Sequence, residues 1–154
     1  MELYQGTTKD FVNPDLSSAK KYTDFGPGFY LTEDIRMADD WKKGEPNKHI
    51  NVYEVTLKGI ETCNLRIRRF NQADETWAKF VYNNRKGKNL RQHYDLIVGP
   101  LADNGLNYWF DKVDKNEMTF TEAASHIEYR RFKSPQYCFI TEKSLKLLSY
   151  DKRK

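Results

Sequence analysis

Several things are scarce in this chain of 154 residues, and each scarcity excludes a class of protein. Cysteine occurs twice, at Cys63 and Cys138, with no CxxC spacing, so neither a disulfide scaffold nor a thiolate metal site is expected. One disulfide or two reduced core thiols would fit, and the isolated spacing favours the latter. The three histidines, His49, His93 and His126, are far apart and none lies in HExxH. No metal is expected. Glycine and proline together number 13, too few for a collagen-like or linker-like chain. No apolar run approaches a membrane span, and Met1–Phe11 has neither a basic region nor an apolar core of leader type. A soluble, cytoplasmic protein without membrane contact is expected.

What is present points to a folded domain. Aromatics number 22, and charged residues make up 31%, a composition that builds a core without being disordered. The length suits a single domain over 1–154. The net charge of +4 is uneven. Residues 1–62 hold 8 basic and 11 acidic side chains, net −3, whereas residues 63–154 hold 18 and 11, net +7. The basic residues cluster at Arg66, Arg68 and Arg69, at Arg85, Lys86, Lys88 and Arg91, and at Arg130, Arg131 and Lys133. Such clusters form a solvated face, lie along nucleic acid or face an anionic cosubstrate.

Periodicity predicts strands at Leu3–Thr7, Gly28–Thr32, His49–Lys58, Cys63–Phe70, Tyr94–Leu101 (the most apolar, expected to be central) and Gln136–Thr141. Helices are expected at Glu33–Lys43 with Thr32 as N-cap, at Ala73–Arg85, at Asn107–Val113, at Thr121–Arg131 and at Thr141–Leu148 with Thr141 as N-cap. Residues 8–27 read as irregular. The order suits an α+β fold with a split mixed or antiparallel sheet flanked by helices, rather than regular βαβ winding. Gly26-Pro27-Gly28 has no third glycine and precedes a strand, which excludes a dinucleotide fingerprint, and there is no P-loop or GxSxG. Cys138, in an apolar strand, reads as core rather than as a nucleophile.

Three short pieces act together: LYQGT (Leu3–Thr7), FGPGFYLT (Phe25–Thr32) with Trp41 eleven residues after Tyr30, and SPQYCFIT (Ser134–Thr141). In this combination the chain resembles the ADP-ribosyltransferase superfamily, histidine–tyrosine–glutamate branch, shared by diphtheria-type toxins and poly-ADP-ribose polymerases. Within it the chain looks most like a small bacterial family with LYHGT, PDL, DFGxGFYLT and YDxVxGP segments, here Leu3–Thr7, Pro14–Leu16, Asp24–Thr32 and Tyr94–Pro100. The resemblance implies an ADP-ribosyltransferase-like core and an NAD-dependent mono-ADP-ribosyltransferase. It implies a bacterial toxin of toxin–antitoxin or phage-defence type, with NAD as cosubstrate, an antitoxin protein as partner, and a protein or nucleic acid as acceptor.

By the same resemblance Tyr30 and Trp41 sandwich the nicotinamide, a flat and cationic ring suited to stacking. The Gly6 backbone meets the carboxamide, with Thr7, Gly28 and Phe29 contributing to the same cosubstrate site. Gln5 stands where the family has the His that grips a ribose hydroxyl, and Gln136 where it has the catalytic Glu. A neutral Gln accepts a hydrogen bond but adds little charge stabilisation and cannot act as a base. Pro27 stands where related loops often carry a cation. These departures keep two alternatives open: a catalytically impaired NAD-pocket or nucleic-acid-binding module, and an NAD glycohydrolase. Strand alternation adds one geometric expectation: with Phe29 and Leu31 in the core, Tyr30 faces a cleft beside Gly6.

Overall fold

The computed structural model describes residues 1–154 except 8, 10, 18, 42–47, 57–63, 89–92, 104 and 154. Its elements are β1 (Glu2–Thr7), β2 (Phe29–Thr32), α1 (Ile35–Trp41), β3 (His49–Val55), β4 (Ile67–Arg69), α2 (Glu75–Arg85), β5 (Leu96–Gly99), α3 (Leu106–Asp114), α4 (Phe120–Ile127), β6 (Gln136–Phe139), α5 (Glu142–Leu145) and β7 (Leu148–Arg153). The fold is α+β, with a mixed sheet of seven strands and five helices among the described residues. Strand order is β4-β5-β6-β2-β1-β3-β7. Only β4 and β5 run parallel; every other neighbouring pair is antiparallel.

The sheet is weakest where it matters most for the site. β1 pairs with β3 over six positions, from Glu2↔Glu54 to Thr7↔His49, and β2 pairs with β6 over four. Between β1 and β2 the register holds at Tyr4↔Thr32 alone. The ladder therefore nearly parts into β4-β5-β6-β2 and β1-β3-β7, and backbone beyond Tyr4 and before Thr32 is released to line a cleft.

Alternation along the inner strands separates two cores. Phe29 and Leu31 of β2, Leu96 and Val98 of β5, and Tyr137 and Phe139 of β6 enter one cluster with Leu3 and Tyr53. Ile97 and Cys138 enter the other, under Trp77, Val81, Phe110 and Ile127 of the helices, with Tyr30 packed against its edge. Asp74 caps α2 by accepting from the Trp77 N–H at 3.0 Å.

Some expectations are corrected. Thr32 is the last residue of β2, and its hydroxyl accepts from the Asp34 N–H; Asp34 accepts from the Arg36 N–H and opens α1, so Glu33 and Asp34 precede the helix. α4 stops at Ile127 because Glu128 is extended (φ −65°, ψ 131°), four residues short of the expected end. The C-terminal segment divides. Thr141 and Ser144 form a capping box on the one-turn α5, and the chain then extends as β7 beside β3. β7 hides in the sequence because, at the sheet edge, it needs only Leu148 and Tyr150 against the core and leaves Ser149, Asp151, Lys152 and Arg153 outside. β5 is internal but second from the edge, not central. Cys63, Lys42, Lys43, Lys58 and Arg91 lie outside the described residues.

Candidate functional site

At the parting of β1 and β2 lies a cleft of about 890 Å³, within the size range of small-molecule sites. Gln5 and Gly6 of β1, Tyr30 of β2, Trp41 of α1 and Gln136 of β6 all line it. Residues chosen from three separate sequence pieces thus share one wall. The cause is topological: β6 pairs with β2 in the register Thr32↔Gln136 and Tyr30↔Cys138, so Gln136 and Tyr30 are two residues apart across the same face.

Gln5 carries the clearest mark of a binding site. Its Oε1 is buried and has no hydrogen-bond partner among the described residues. Leaving a buried polar atom unsatisfied costs about 1–3 kcal/mol, and a donor entering the cleft would relieve it.

Tyr30 points as expected, but its hydroxyl is occupied. It donates to the Gly26 carbonyl (2.6 Å), accepts from the Phe25 N–H (2.9 Å) and lies 3.0 Å from Thr23 Oγ1. The ring is therefore a fixed wall, held by the loop that precedes β2. Burial, followed by the nearby Cys138 thiol, pushes the hydroxyl well above the ordinary tyrosine range, so it stays protonated.

The most heavily bonded group in the cleft was not singled out from the sequence. Asp24 is 3% exposed. Its Oδ1 accepts from Arg85 Nε (2.9 Å) and Nη2 (2.5 Å), and its Oδ2 from the Ala102 N–H (3.1 Å) and Gln136 Nε2 (3.0 Å). Four donors on one carboxylate explain how a charge is tolerated there. The carboxylate also orients Gln136. Because it can only accept, the amide nitrogen must face it, leaving Gln136 Oε1 as the atom able to accept from a ligand. Gln136 itself is 2% exposed, buried within the sheet rather than a water-facing edge residue. The one sequence signal for Asp24 was an acid set directly before Phe25 and Gly26 in an aromatic, glycine-rich turn.

Across the cleft mouth, Asp40 of α1 accepts from the Tyr129 hydroxyl (2.5 Å) and from Arg131 Nη1 (3.0 Å). This clasp joins α1 to the segment entering β6. Burial, and then the hydrogen bond to Asp40, raises the Tyr129 hydroxyl to about 12. Lys20, Arg85 and Arg131 bring cations to the cleft and Asp24, Asp40 and Asp103 bring carboxylates. Arg85 and Arg131, members of the basic clusters, are thus partly spent on internal ion pairs.

The remaining expected residues lie elsewhere. Phe29 turns its ring into the core, edge-on to Phe11 and Tyr53, because it alternates with Tyr30. Gly28 and Phe29 line a smaller pocket of about 170 Å³ that shares Gln5, Lys20, Thr23 and Tyr30 with the cleft. Gly28 is dictated by packing: a Cβ there would sit 2.4 Å from Cys138 Sγ and 3.0 Å from the Phe139 carbonyl. Thr7 lines neither space, and its hydroxyl accepts from the Lys9 N–H. Cys138 is a fully buried free thiol whose ionisation burial suppresses, which makes it core. Among the described residues no cluster of His, Cys, Asp and Glu could hold a metal ion, and no helix is long and apolar enough to cross a membrane.

Fold and cleft define an α+β protein with a small-molecule-sized polar site at a parting of its sheet. Over residues 1–150 the chain matches the family described as Protein of unknown function (DUF3990), and it belongs to that family. No curated protein and no solved structure matches it.

Proposed function

We propose that this protein is an NAD-dependent mono-ADP-ribosyltransferase, a bacterial toxin that acts in the cytoplasm, modifies a protein or nucleic acid and has an antitoxin protein as partner. The observation that carries the reading is the convergence of Gln5, Gly6, Tyr30, Trp41 and Gln136 on one cleft in which Gln5 Oε1 lacks a partner. The donor set fits NAD: an orphaned acceptor for a ribose hydroxyl or carboxamide, two aromatic side chains for a cationic ring, and cations for a pyrophosphate.

NAD held there would supply an ADP-ribosyl group, with nicotinamide as the leaving group. The protein's own part is positioning. Tyr30, fixed by Gly26 and Phe25, offers a ring face that cannot swing away. Gln136 Oε1, oriented by Asp24, accepts from a ribose hydroxyl. A neutral amide moves no proton and adds little charge stabilisation, so single transfer suits this site better than polymer synthesis.

A second reading is supported by amides at both Gln5 and Gln136: a pocket that holds NAD without transfer, or with water as the acceptor. Labelled NAD incubated with cell extract and the protein, or its Gln5→His variant, separates these. A labelled macromolecule supports transfer, and nicotinamide release alone supports glycohydrolysis. Thermal stabilisation by NAD with neither supports a silent pocket. No stabilisation, release or label from either form would dismiss the NAD reading.

A further inference from the structure

Beside the cleft lies a second groove of about 620 Å³, and Leu101 and Tyr129 line both. Its walls come from the end of β4, the turn after β5 and the segment entering β6. Resting on the NAD reading above, we propose that this groove binds the acceptor and that the acceptor is a single-stranded nucleic acid.

The chemistry of the groove is cationic and aromatic together. Arg69 and Lys133 stand exposed on its walls, which also include the half-buried Phe132 and the buried Phe70 and Tyr137. Arg68 lies over the Phe70 ring at 4.6 Å, and Arg36 and Arg131 lie over Phe132 at 4.5 and 5.3 Å. Arg36 and Arg131 are matched by Asp34 and Asp40. Arg69 and Lys133 on the walls, and Arg68 next to Arg69 in β4, pair with no carboxylate among the described residues; Glu128 also lines the groove, and Glu33 accepts from the Tyr137 hydroxyl. Two exposed, unpaired cations on the walls, Arg69 and Lys133, beside the half-buried Phe132 ring, suit a phosphodiester chain whose bases are open to stacking. A duplex hides its base faces from such stacking.

The shared wall makes the groove an acceptor site rather than a separate module. A strand lying in it passes Leu101 and Tyr129 at the cleft's edge. In the transfer, the bond from ribose C1′ to the nicotinamide nitrogen breaks and its electron pair leaves with nicotinamide. A nitrogen or oxygen of a nucleotide bonds to C1′ and gives its proton to solvent.

The test is fluorescence anisotropy of short labelled oligonucleotides (single-stranded RNA, single-stranded DNA and duplex) against the unmodified full chain without NAD, over a salt series. Arg69→Gln/Lys133→Gln is compared with Lys146→Gln/Lys152→Gln, which makes the same charge change at and beside β7, the opposite sheet edge. Thermal melts check that each variant folds. We expect single strands to bind more tightly than duplex. The groove variant should lose about tenfold or more in affinity, and its slope of log K against log salt should be shallower by about 1.4. The control should stay within about twofold.

Equal loss in both variants, equal duplex binding, or no binding at low salt would overturn the acceptor site; label transferred only to protein would overturn the nucleic-acid class. Nicotinamide release is followed separately. Release without groove-dependent binding leaves the NAD reading standing and this inference lost; groove-dependent binding without release leaves a single-strand-binding groove and overturns its role as an acceptor site.

Discussion

The side-chain amide of Gln136 donates to Asp24 Oδ2 at 3.0 Å, across 112 positions of sequence. One contact therefore ties the loop before β2 to the first residue of β6 and sets which end of the Gln136 amide is available. Arg85, from α2, closes the same carboxylate from the other side. Three elements meet on one buried charge, and the shape of the cleft depends on it.

Removing that charge should be costly. Asp24→Asn leaves the Arg85 guanidinium without its counter-ion and removes two acceptor sites, a loss of about 3 kcal/mol. Asp24→Asn/Gln136→Glu moves the carboxylate across the pair and should recover part of it. Urea unfolding of the two variants reads the difference; an unchanged midpoint for Asp24→Asn would refute the hub.

Gln5→Met should act in opposite directions on stability and binding. Methionine keeps the length and removes the orphaned Oε1, so the melting temperature of the isolated protein should rise or hold. Stabilisation by added NAD should shrink. Differential scanning fluorimetry with and without NAD measures both, and a lower melting temperature with undiminished NAD response would contradict the role given to Oε1.

Tyr30 and Leu31 should separate by function. Leu31 is fully buried, and Leu31→Ala should cost about 2–5 kcal/mol. Tyr30→Phe keeps the ring and removes the hydroxyl that holds Phe25 and Gly26, costing about 1–3 kcal/mol, with nicotinamide affinity largely retained. Tyr30→Ala should lose the ring contact as well, worth roughly 1 kcal/mol beyond area. Calorimetric titration of the three variants distinguishes wall from core.

Gly28→Ala should destabilise by about 1–3 kcal/mol through the clash with β6. Adding Cys138→Ala removes the Sγ and should return some of that loss, while the Phe139 carbonyl at 3.0 Å keeps the rest. Thermal unfolding of single and double variants shows the coupling.

Stability should fall at both ends of the pH scale for identifiable reasons. Burial pushes the Asp95 carboxyl up, but the Arg66 N–H, the Thr141 hydroxyl and the Arg66 and Lys143 charges outweigh it and hold it below 3.8. A depressed folded value gives stability that is present above about pH 4 and lost as pH falls through it. Tyr129, raised from 10.0 to about 12, contributes below pH 10 and loses that contribution as pH climbs towards 12. Asp95→Asn should flatten the acid limb of a stability–pH curve and Tyr129→Phe the alkaline limb. Curves parallel to wild type would show these groups to be bystanders.

Local pattern carried much of this protein. Short apolar runs mark Phe29–Thr32 and Leu96–Gly99 as inner strands, and the alternation of side chains along a strand sends Phe29 and Leu31 one way and Tyr30 the other. The helical spacing of Ala73, Trp77, Phe80 and Val81 located α2, and capping chemistry located the start of α5, because Thr141 satisfies the Ser144 N–H three residues on. Those forces act over a turn or a strand, so neighbouring residues reveal them. The edge strand β7 escaped because only Leu148 and Tyr150 pack inward and its remaining positions, Ser149 and Asp151 to Arg153, are polar or charged.

The site needed tertiary structure for a different reason. That β1 and β2 meet at Tyr4↔Thr32 alone follows from how the five other strands pair, and no local pattern encodes a ladder that nearly fails. Asp40 and Arg131 look in sequence like ordinary surface charges, and Asp24, though it opens the Asp24–Thr32 segment, has no partner that local pattern reveals. Burial and partners 112, 89 and 91 positions away make Asp24 a structural hub and Asp40 a clasp, since the worth of a charge depends on its solvent and counter-ions, which only the folded chain supplies.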